Sequence, residues 1–433
     1  MKQSRHFLVI KNKKVGGCMN TKEARERVII VGVQTTESDQ AFVYSLKELA
    51  QLTETAKGEV VAELTQKRPR MDSKTYLGKG KLQELVRLAE ETEADVIIFN
   101  HGLTPGQTRN IQAEIDLKVI DRVQLILDIF AMRAQSKEGK LQVGLAQLHY
   151  LLPRLAGQGK NLSKLGGGIG TRGPGETKLE TDRRHIRDQI TDIKRTLKET
   201  EAHRERSRER RNDGTTFQIG LMGYTNAGKS TLLNQLTHAE TYEQNQLFAT
   251  LDPLTRKLVL PTGMNVTLTD TVGFIQDLPT QLIDAFHSTL EETKNVDLLL
   301  HVVDAAAEDM LGHEKTVLEL LKELKMDRIP MLTVYNKRDL ITGSFLPDLF
   351  PSVLISARND DDIAELYHKI MEIMKETLVP YQFEIAADQG GALVKLKKET
   401  LIISEEYNEE KNSYFVKGYA KEQSKWIGER ELE

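Results

Sequence analysis

Nine residues restrict this chain to few folds: Gly223-Tyr224-Thr225-Asn226-Ala227-Gly228-Lys229-Ser230-Thr231. The pattern G-x-x-x-x-G-K-[ST] carries meaning only between a strand and a helix. Phe217–Met222 reads as a short strand, and Leu232–Leu236 reads as a helix start. In that setting consecutive backbone N–H groups curl around a phosphate, and the helix N-terminus adds its positive end. Lys229 is placed to reach β- and γ-phosphates, and the Ser230 hydroxyl to hold Mg2+. The bland alternative is an ordinary glycine-rich turn.

Three further segments weigh against that alternative. An apolar run, Met264–Leu268, leads into Asp270-Thr271-Val272-Gly273. An acid at a strand end serves a magnesium-linked site, and the Gly273 N–H approaches a γ-phosphate. Ile329–Tyr335 reads as a buried strand running into Asn336-Lys337-Arg338-Asp339. The Asp339 carboxylate accepts two hydrogen bonds from the N–H and NH2 edge of guanine. Adenine shows an acceptor there, so the mismatch discriminates strongly. Val353–Ile355 leads into Ser356-Ala357-Arg358, whose backbone can donate to the guanine oxygen. Taken in this order and spacing, the four elements imply GTP and GDP as ligands and GTP hydrolysis as the reaction.

Between the phosphate loop and Asp270 lies Phe248-Ala249-Thr250-Leu251-Asp252. A hydroxyl at Thr250 ligates Mg2+ while its N–H meets the γ-phosphate, so the segment orders only with GTP. Lys229, Thr250, Gly273 and Asn226 are the expected catalytic set. Phe274 follows Gly273, where many GTPases place a glutamine that orients the attacking water. A phenyl ring cannot do so. Intrinsic hydrolysis is therefore expected to be slow and to need an outside element.

The chain has 433 residues, 39% hydrophobic and 29% charged, with a formal net charge of −4. Length suggests roughly three domains. No apolar run approaches the ~20 residues needed to cross a bilayer. The one cysteine, Cys18, excludes an intrachain disulfide and fits a reducing, cytoplasmic setting. Near-balanced charge means that nucleic-acid binding must come from a local patch. Val15-Gly16-Gly17 before Met19 suggests Met19 as the native start, with a genuine short tail the alternative.

The expected fold class is multi-domain α/β. Residues 1–26 read as a flexible extension. Residues 27–134 alternate strands and helices, which argues a parallel sheet. Within them Leu77–Lys81 and the Asn100–Gln107 loop are the candidate ligand edges, against a basic turn and a capping loop. His101 and His149 have no metal-ligand companions at useful spacing and read as solvated or packed. Residues 215–380 are the GTPase domain. Residues 381–433 form a small α+β domain with strands expected at Phe383–Ala386, Gly391–Lys397, Leu401–Glu405 and Tyr414–Ala420.

Residues 135–214 read as a helical hairpin. Leu141–Leu155 is helical, and Lys178–Arg211 is a long charged helix with a seam at Ile186, Ile190, Ile193 and Leu197. Between them lies a glycine-rich stretch holding Gly166, Gly167, Gly168 and Gly173. Lys160, Lys164, Arg172 and Lys178 load that stretch and the helix start, followed by Arg183, Arg184 and Arg187. A bare-backbone basic loop suits a phosphate-dense surface such as folded RNA. The alternative is a solvated charged helix with a floppy loop.

These segments together resemble the HflX family of ribosome-associated GTPases. The likeness covers nearly the whole chain: Gly223–Thr231, Phe248–Pro253, Asp270–Phe274, Tyr76–Lys81, Asn100–Gln107 and, most specifically, Gly166–Glu176. One departure is Leu254-Thr255, where relatives often carry another polar residue. The resemblance implies binding to the large ribosomal subunit, with the hairpin loop reaching toward ribosomal RNA near the peptidyl-transferase centre. It implies a protein that splits stalled or stress-idled ribosomes; a monomer without stable membrane insertion is expected. In similar GTPases that lack the glutamine, an asparagine at the place of Asn226 ligates K+, which would neutralise charge on the leaving phosphate. The competing role for Asn226 is a hydrogen bond to the loop backbone. Two other readings stay open: a passive switch in ribosome assembly, and a tRNA-modifying GTPase, which needs a reactive cysteine or folate-type chemistry, whereas the one cysteine here, Cys18, lies before Met19.

Overall fold

The structure is a computed structural model describing residues 25–155, 178–209, 216–237, 248, 254–270, 273–275 and 296–428. The N-terminal domain runs β1 (Arg27–Gln34), α1 (Asp39–Thr55), β2 (Glu59–Lys67), α2 (Lys79–Glu91), β3 (Val96–Phe99), α3 (Pro105–Glu114), β4 (Lys118–Asp121) and α4 (Arg122–Arg133). Its four strands pair in the order β2-β1-β3-β4, all parallel as expected. Alternate residues of β1 serve opposite layers. Val28 and Ile30 pack with Leu49 and Leu52 of α1 and Phe130 of α4. Ile29, Val31 and Val33 pack with Leu82 and Leu85 of α2 and Ile111 of α3. Helix starts follow their sequence signals: Thr104 and Gln107 form a capping box with Pro105 in the first turn.

The hairpin is α5 (Lys137–Arg154) and α6 (Lys178–Glu209). Helix α5 starts earlier than expected because Ser136 caps it, its Oγ accepting from the Gly139 N–H at 2.8 Å. Along α6, Ile190 is buried and Ile186, Ile193 and Leu197 are half-buried, so the seam forms. The end of α5 is tied to the N-terminal sheet. Tyr150 Oη donates to Asp121 Oδ1 at 2.8 Å, and Arg154 Nη2 donates to Asp121 Oδ2 at 3.1 Å and to the Leu103 carbonyl at 2.6 Å. The Arg154 guanidinium also lies 3.4 Å from the Tyr150 ring centroid.

The third unit contains β5 (Phe217–Gly223), α7 (Lys229–Thr237), β6 (Leu254–Val259), β7 (Asn265–Asp270), β8 (Leu298–Asp304), α8 (Met310–Glu323), β9 (Met331–Asn336), β10 (Ser352–Leu354) and α9 (Asp360–Thr377). The sheet order is β10-β9-β8-β5-β7-β6, and only β6 runs antiparallel. The C-terminal ends of β5, β7, β9 and β10 therefore share one edge, where open α/β sheets bind ligands.

The last unit contains β11 (Val379–Ala386), α10 (Gly390–Glu399), β12 (Leu401–Asn408), β13 (Ser413–Ala420) and α11 (Lys425–Gly428). Its sheet is antiparallel, ordered β11-β13-β12. One expectation fails here. Gly391–Lys397 forms helix α10, not a strand. Leu393 and Leu396 lie three apart and pack on Ile385, Val416 and Trp426. Over so short a run, Leu393-Val394-Lys395-Leu396-Lys397 fits both periods, and burial of that pair selects the helical one.

The α1/α4 layer continues across the domain boundary. Phe130 of α4 meets Phe248 at a ring-centroid distance of 4.5 Å. Tyr224, Phe274, Ile275 and Val317 belong to the same buried cluster. Among the described residues, no helix is long and apolar enough to cross a membrane.

His301, in the centre of β8, is 1% exposed. Burial, and secondarily the nearby Lys229 charge, lower its pKa from the ordinary 6.5 to about 4. The unfolded chain takes up this proton as pH falls below 6.5, whereas the folded chain refuses it until about 4. Stability is thus flat above that window and falls through it, by about 3 kcal/mol in all. Between pH 7 and 5, His301→Gln is expected to lose about 2 kcal/mol less stability than the wild type. Parallel denaturation curves for the two proteins would refute the assignment.

Candidate functional site

The phosphate loop lies where β5 ends. A Cβ on Gly223 would sit 2.1 Å from the Val302 carbonyl oxygen, so only glycine lets the chain leave the sheet there. Gly228 has φ +95°, and a Cβ there would fall 2.2 Å from Asn336 Nδ2. Helix α7 begins at Lys229 with its N-terminus at the loop. Lys229 is 6% exposed, and its ammonium donates to the Gly223 carbonyl at 3.0 Å and the Tyr224 carbonyl at 2.8 Å. Burial lowers its pKa to about 8, with Asp270 opposing the shift. A phosphate would supply the counter-charge that this buried cation lacks from the carbonyls alone.

Asp270, at the end of β7, is fully buried, and its Oδ2 accepts from Ser230 Oγ at 3.2 Å. This hydroxyl–carboxylate pair is the hard oxygen donor set that Mg2+ prefers. Ser230 would hold the ion, while Thr250 lies outside the described residues. So do Ala249, Leu251, Asp252, Thr271 and Val272. Gly273 leaves room for the lysine: a Cβ there would come within 3.1 Å of Lys229 Nζ. The loop after it is stitched to the phosphate loop, Thr225 N–H donating to the Phe274 carbonyl at 2.7 Å and Phe274 N–H to the Gly223 carbonyl at 3.1 Å. Phe274 is buried at 2% exposure, in the cluster shared with the N-terminal domain.

The base side forms a cavity of about 300 Å3 lined by Asn226, Gly228, Asn336, Lys337, Asp339 and Ser356, among others. Asn336 is its staple. Its Nδ2 donates to the Ala227 carbonyl and its Oδ1 accepts from the Ala357 N–H, each at 2.9 Å. Lys337 has a left-handed backbone (φ 66°), and its Nζ pairs with Asp304 Oδ2 at 2.7 Å. The Asp339 carboxyl is exposed to the cavity, and a hydrogen bond from the Ser356 side chain holds it below the usual carboxylate range. The Ser356 N–H is itself fixed by Asp362 Oδ2 at 2.7 Å, and Arg358 lines the same cavity. Arg338 turns away to pair with Asp362 Oδ1 at 2.8 Å.

Two contributors escaped the sequence reading. Leu340, which directly follows the recognised Asp339, lines the cavity, as does Thr231 of the nine-residue motif. Asp362 supports the base loop from α9, and only its place in the first turn hinted at a role. Tyr224 differs from expectation in another way. Its backbone serves the phosphate loop, but its hydroxyl donates to Glu48 Oε1 of the N-terminal domain at 2.5 Å. Of the predicted RNA contacts, Lys160, Lys164, Gly166, Gly167, Gly168, Arg172 and Gly173 lie outside the described residues, as does the Lys178 side chain.

A glycine cradle at a helix start, a buried lysine, a hydroxyl–carboxylate pair and a guanine-type acid converge on one sheet edge. The chain is a P-loop GTPase. Residues 43–131, 133–211 and 218–337 match three family profiles, described as "GTP-binding GTPase N-terminal", "GTP-binding GTPase Middle Region" and "50S ribosome-binding GTPase". The GTPase HflX of Alkalihalophilus pseudofirmus is 55% identical over 92% of this chain and 94% of its own. That of Escherichia coli is 39% identical over 85% and 87%. A GTP-binding protein from Sulfolobus solfataricus, solved with GDP, is 25% identical over 79% of this chain and 99% of its own, at a TM-score of 0.43. The chain belongs to the HflX family of GTPases.

Proposed function

We propose that this GTPase binds the large ribosomal subunit as a cytoplasmic monomer and splits stalled or stress-idled ribosomes. The observation that carries the reading is the match of residues 218–337 to a family described as "50S ribosome-binding GTPase". The anchoring of α5 by Arg154 and Tyr150 agrees with it. That anchor ties the last turn of α5, which precedes the glycine-rich basic stretch in the chain, to the N-terminal domain.

In this reading Lys229 and the backbone around Gly228 hold the phosphates, and Ser230 with Thr250 would hold Mg2+, which would neutralise phosphate charge when bound. Phe274 is buried and aligns no water, so the ribosome completes the site. Asn226 lines the cavity with φ 59°, and its side-chain oxygen would be the ligand for K+.

The test is sedimentation of intact ribosomes with the protein and a non-hydrolysable GTP analogue. Dissociation into subunits is expected, and co-sedimentation with free large subunits alone would favour a passive assembly switch. Deleting Gly166–Gly175 is expected to keep GTP binding and remove ribosome stimulation of hydrolysis. Full stimulation in that variant would put the contact elsewhere. Hydrolysis by the wild type is expected to run faster in K+ than in Na+ at equal ionic strength; equal rates would remove K+ from the mechanism.

A further inference from the structure

The phosphate loop is held from outside its own domain. Glu48, on α1, is 3% exposed and 176 residues from Tyr224. One carboxylate oxygen accepts from the Tyr224 hydroxyl, and the other pairs with Arg122 Nη2 at the start of α4. Arg122 Nη1 donates to Asn100 Oδ1 at 3.2 Å, and Asn100 Nδ2 donates to Ser45 Oγ at 2.8 Å. The carboxylate is therefore locked on its own side before it meets the tyrosine. On the other side the Tyr224 ring stacks on His313 of α8, centroids 3.8 Å apart and planes 12° from parallel.

Tyr224 is also the residue whose carbonyl holds Lys229, and it forms a β-bridge with Phe274 behind Gly273. Its side chain is thus fixed at two points while its backbone touches the phosphate lysine and the γ-phosphate loop. A rigid side chain at that position fixes the entry of the loop.

We propose that Glu48 is a positioning residue for nucleotide binding, acting through the Tyr224 hydroxyl to set the phosphate loop. The N-terminal domain thereby supplies part of the nucleotide site without touching the nucleotide. The contact holds the loop that takes both GTP and GDP and supplies no group to the reacting phosphate, so its loss is expected to act on KM and not on kcat.

The experiment uses the full chain. Tyr224→Phe removes only the hydroxyl and keeps the His313 stack. It is expected to speed GDP release and raise KM for GTP, each about tenfold, with kcat within about twofold. Glu48→Gln leaves a neutral acceptor and is expected to give a smaller effect. The double variant is expected to be no worse in release than Tyr224→Phe alone, since both changes break one contact. Lys47→Ala breaks the exposed pair with Glu308 across the same boundary and is the control, with release unchanged. Melting temperature is followed in each, so that loss of the Arg122 partner is read separately from release. Unchanged release in Tyr224→Phe overturns the proposal. Equal acceleration in Lys47→Ala overturns it too, because docking of the domains would then matter and Glu48 would not.

Discussion

Asp339→Asn is expected to weaken GTP binding by a hundredfold or more and to admit xanthosine triphosphate. The wild-type carboxyl is held below its usual range by Ser356 and is ionised at neutral pH, an acceptor only. Guanine offers two donors to it. The amide turns one acceptor into a donor, so one guanine hydrogen bond is lost and a like-to-like contact appears. Loss of a charge-assisted bond plus an unpaired donor comes to about 3 kcal/mol, which is the expected factor. Xanthine carries an oxygen where guanine carries its amine, and meets the new donor. The measurement is a titration with both nucleotides. GTP affinity that stays at the wild-type level would locate the base elsewhere.

Asn336→Ala is expected to cost a similar factor by a different route. Asn336 is 2% exposed and touches backbone on two loops, Ala227 of the phosphate loop and Ala357 of the base loop. Alanine leaves a buried carbonyl and a buried N–H without their partners, at about 1–3 kcal/mol each. The two loops then lose their common anchor, and the phosphate and base halves of the pocket no longer hold one spacing. GDP affinity is expected to fall about a hundredfold, with a melting temperature lower by several degrees. Asn336→Asp keeps the acceptor for Ala357 and is expected to fall between. Wild-type affinity in the alanine variant would mean that the loops keep their places without the staple.

The motifs that the structure gathers at one sheet edge were legible because their chemistry is local. Gly223–Ser230 must be one loop to serve a phosphate, and Asn336–Asp339 lies directly after an apolar strand. The N-terminal domain was legible for a similar reason: caps such as Thr104-Pro105 and leucines at helical spacing mark its elements one by one. Two kinds of feature were not. Gly391–Lys397 satisfied both periods over too few residues, and only the burial of Leu393 and Leu396 against Val416 and Trp426 decides for a helix. The partnership of Glu48, Tyr224 and His313 is assembled by tertiary packing. Nothing local to Glu48 distinguishes it from an exposed helix acid, yet it is 3% exposed. Phe274 carried a half-signal. Its departure from glutamine was visible, but its place in a core with Phe130 and Phe248 was not.

That common core bears on what a fragment of this chain would be. Phe248, Phe274, Ile275 and Val317 are buried by a layer that also contains Phe130, Leu49 and Leu52. Cutting the chain ahead of residue 215 would strip that layer and bare a contiguous aromatic and aliphatic surface. Surfaces of that kind drive self-association. A truncated GTPase domain would then be prone to clump, and altered turnover in it would report stickiness and loss of Glu48 together. Point substitutions in the intact chain separate the two, because they leave the greasy seam closed.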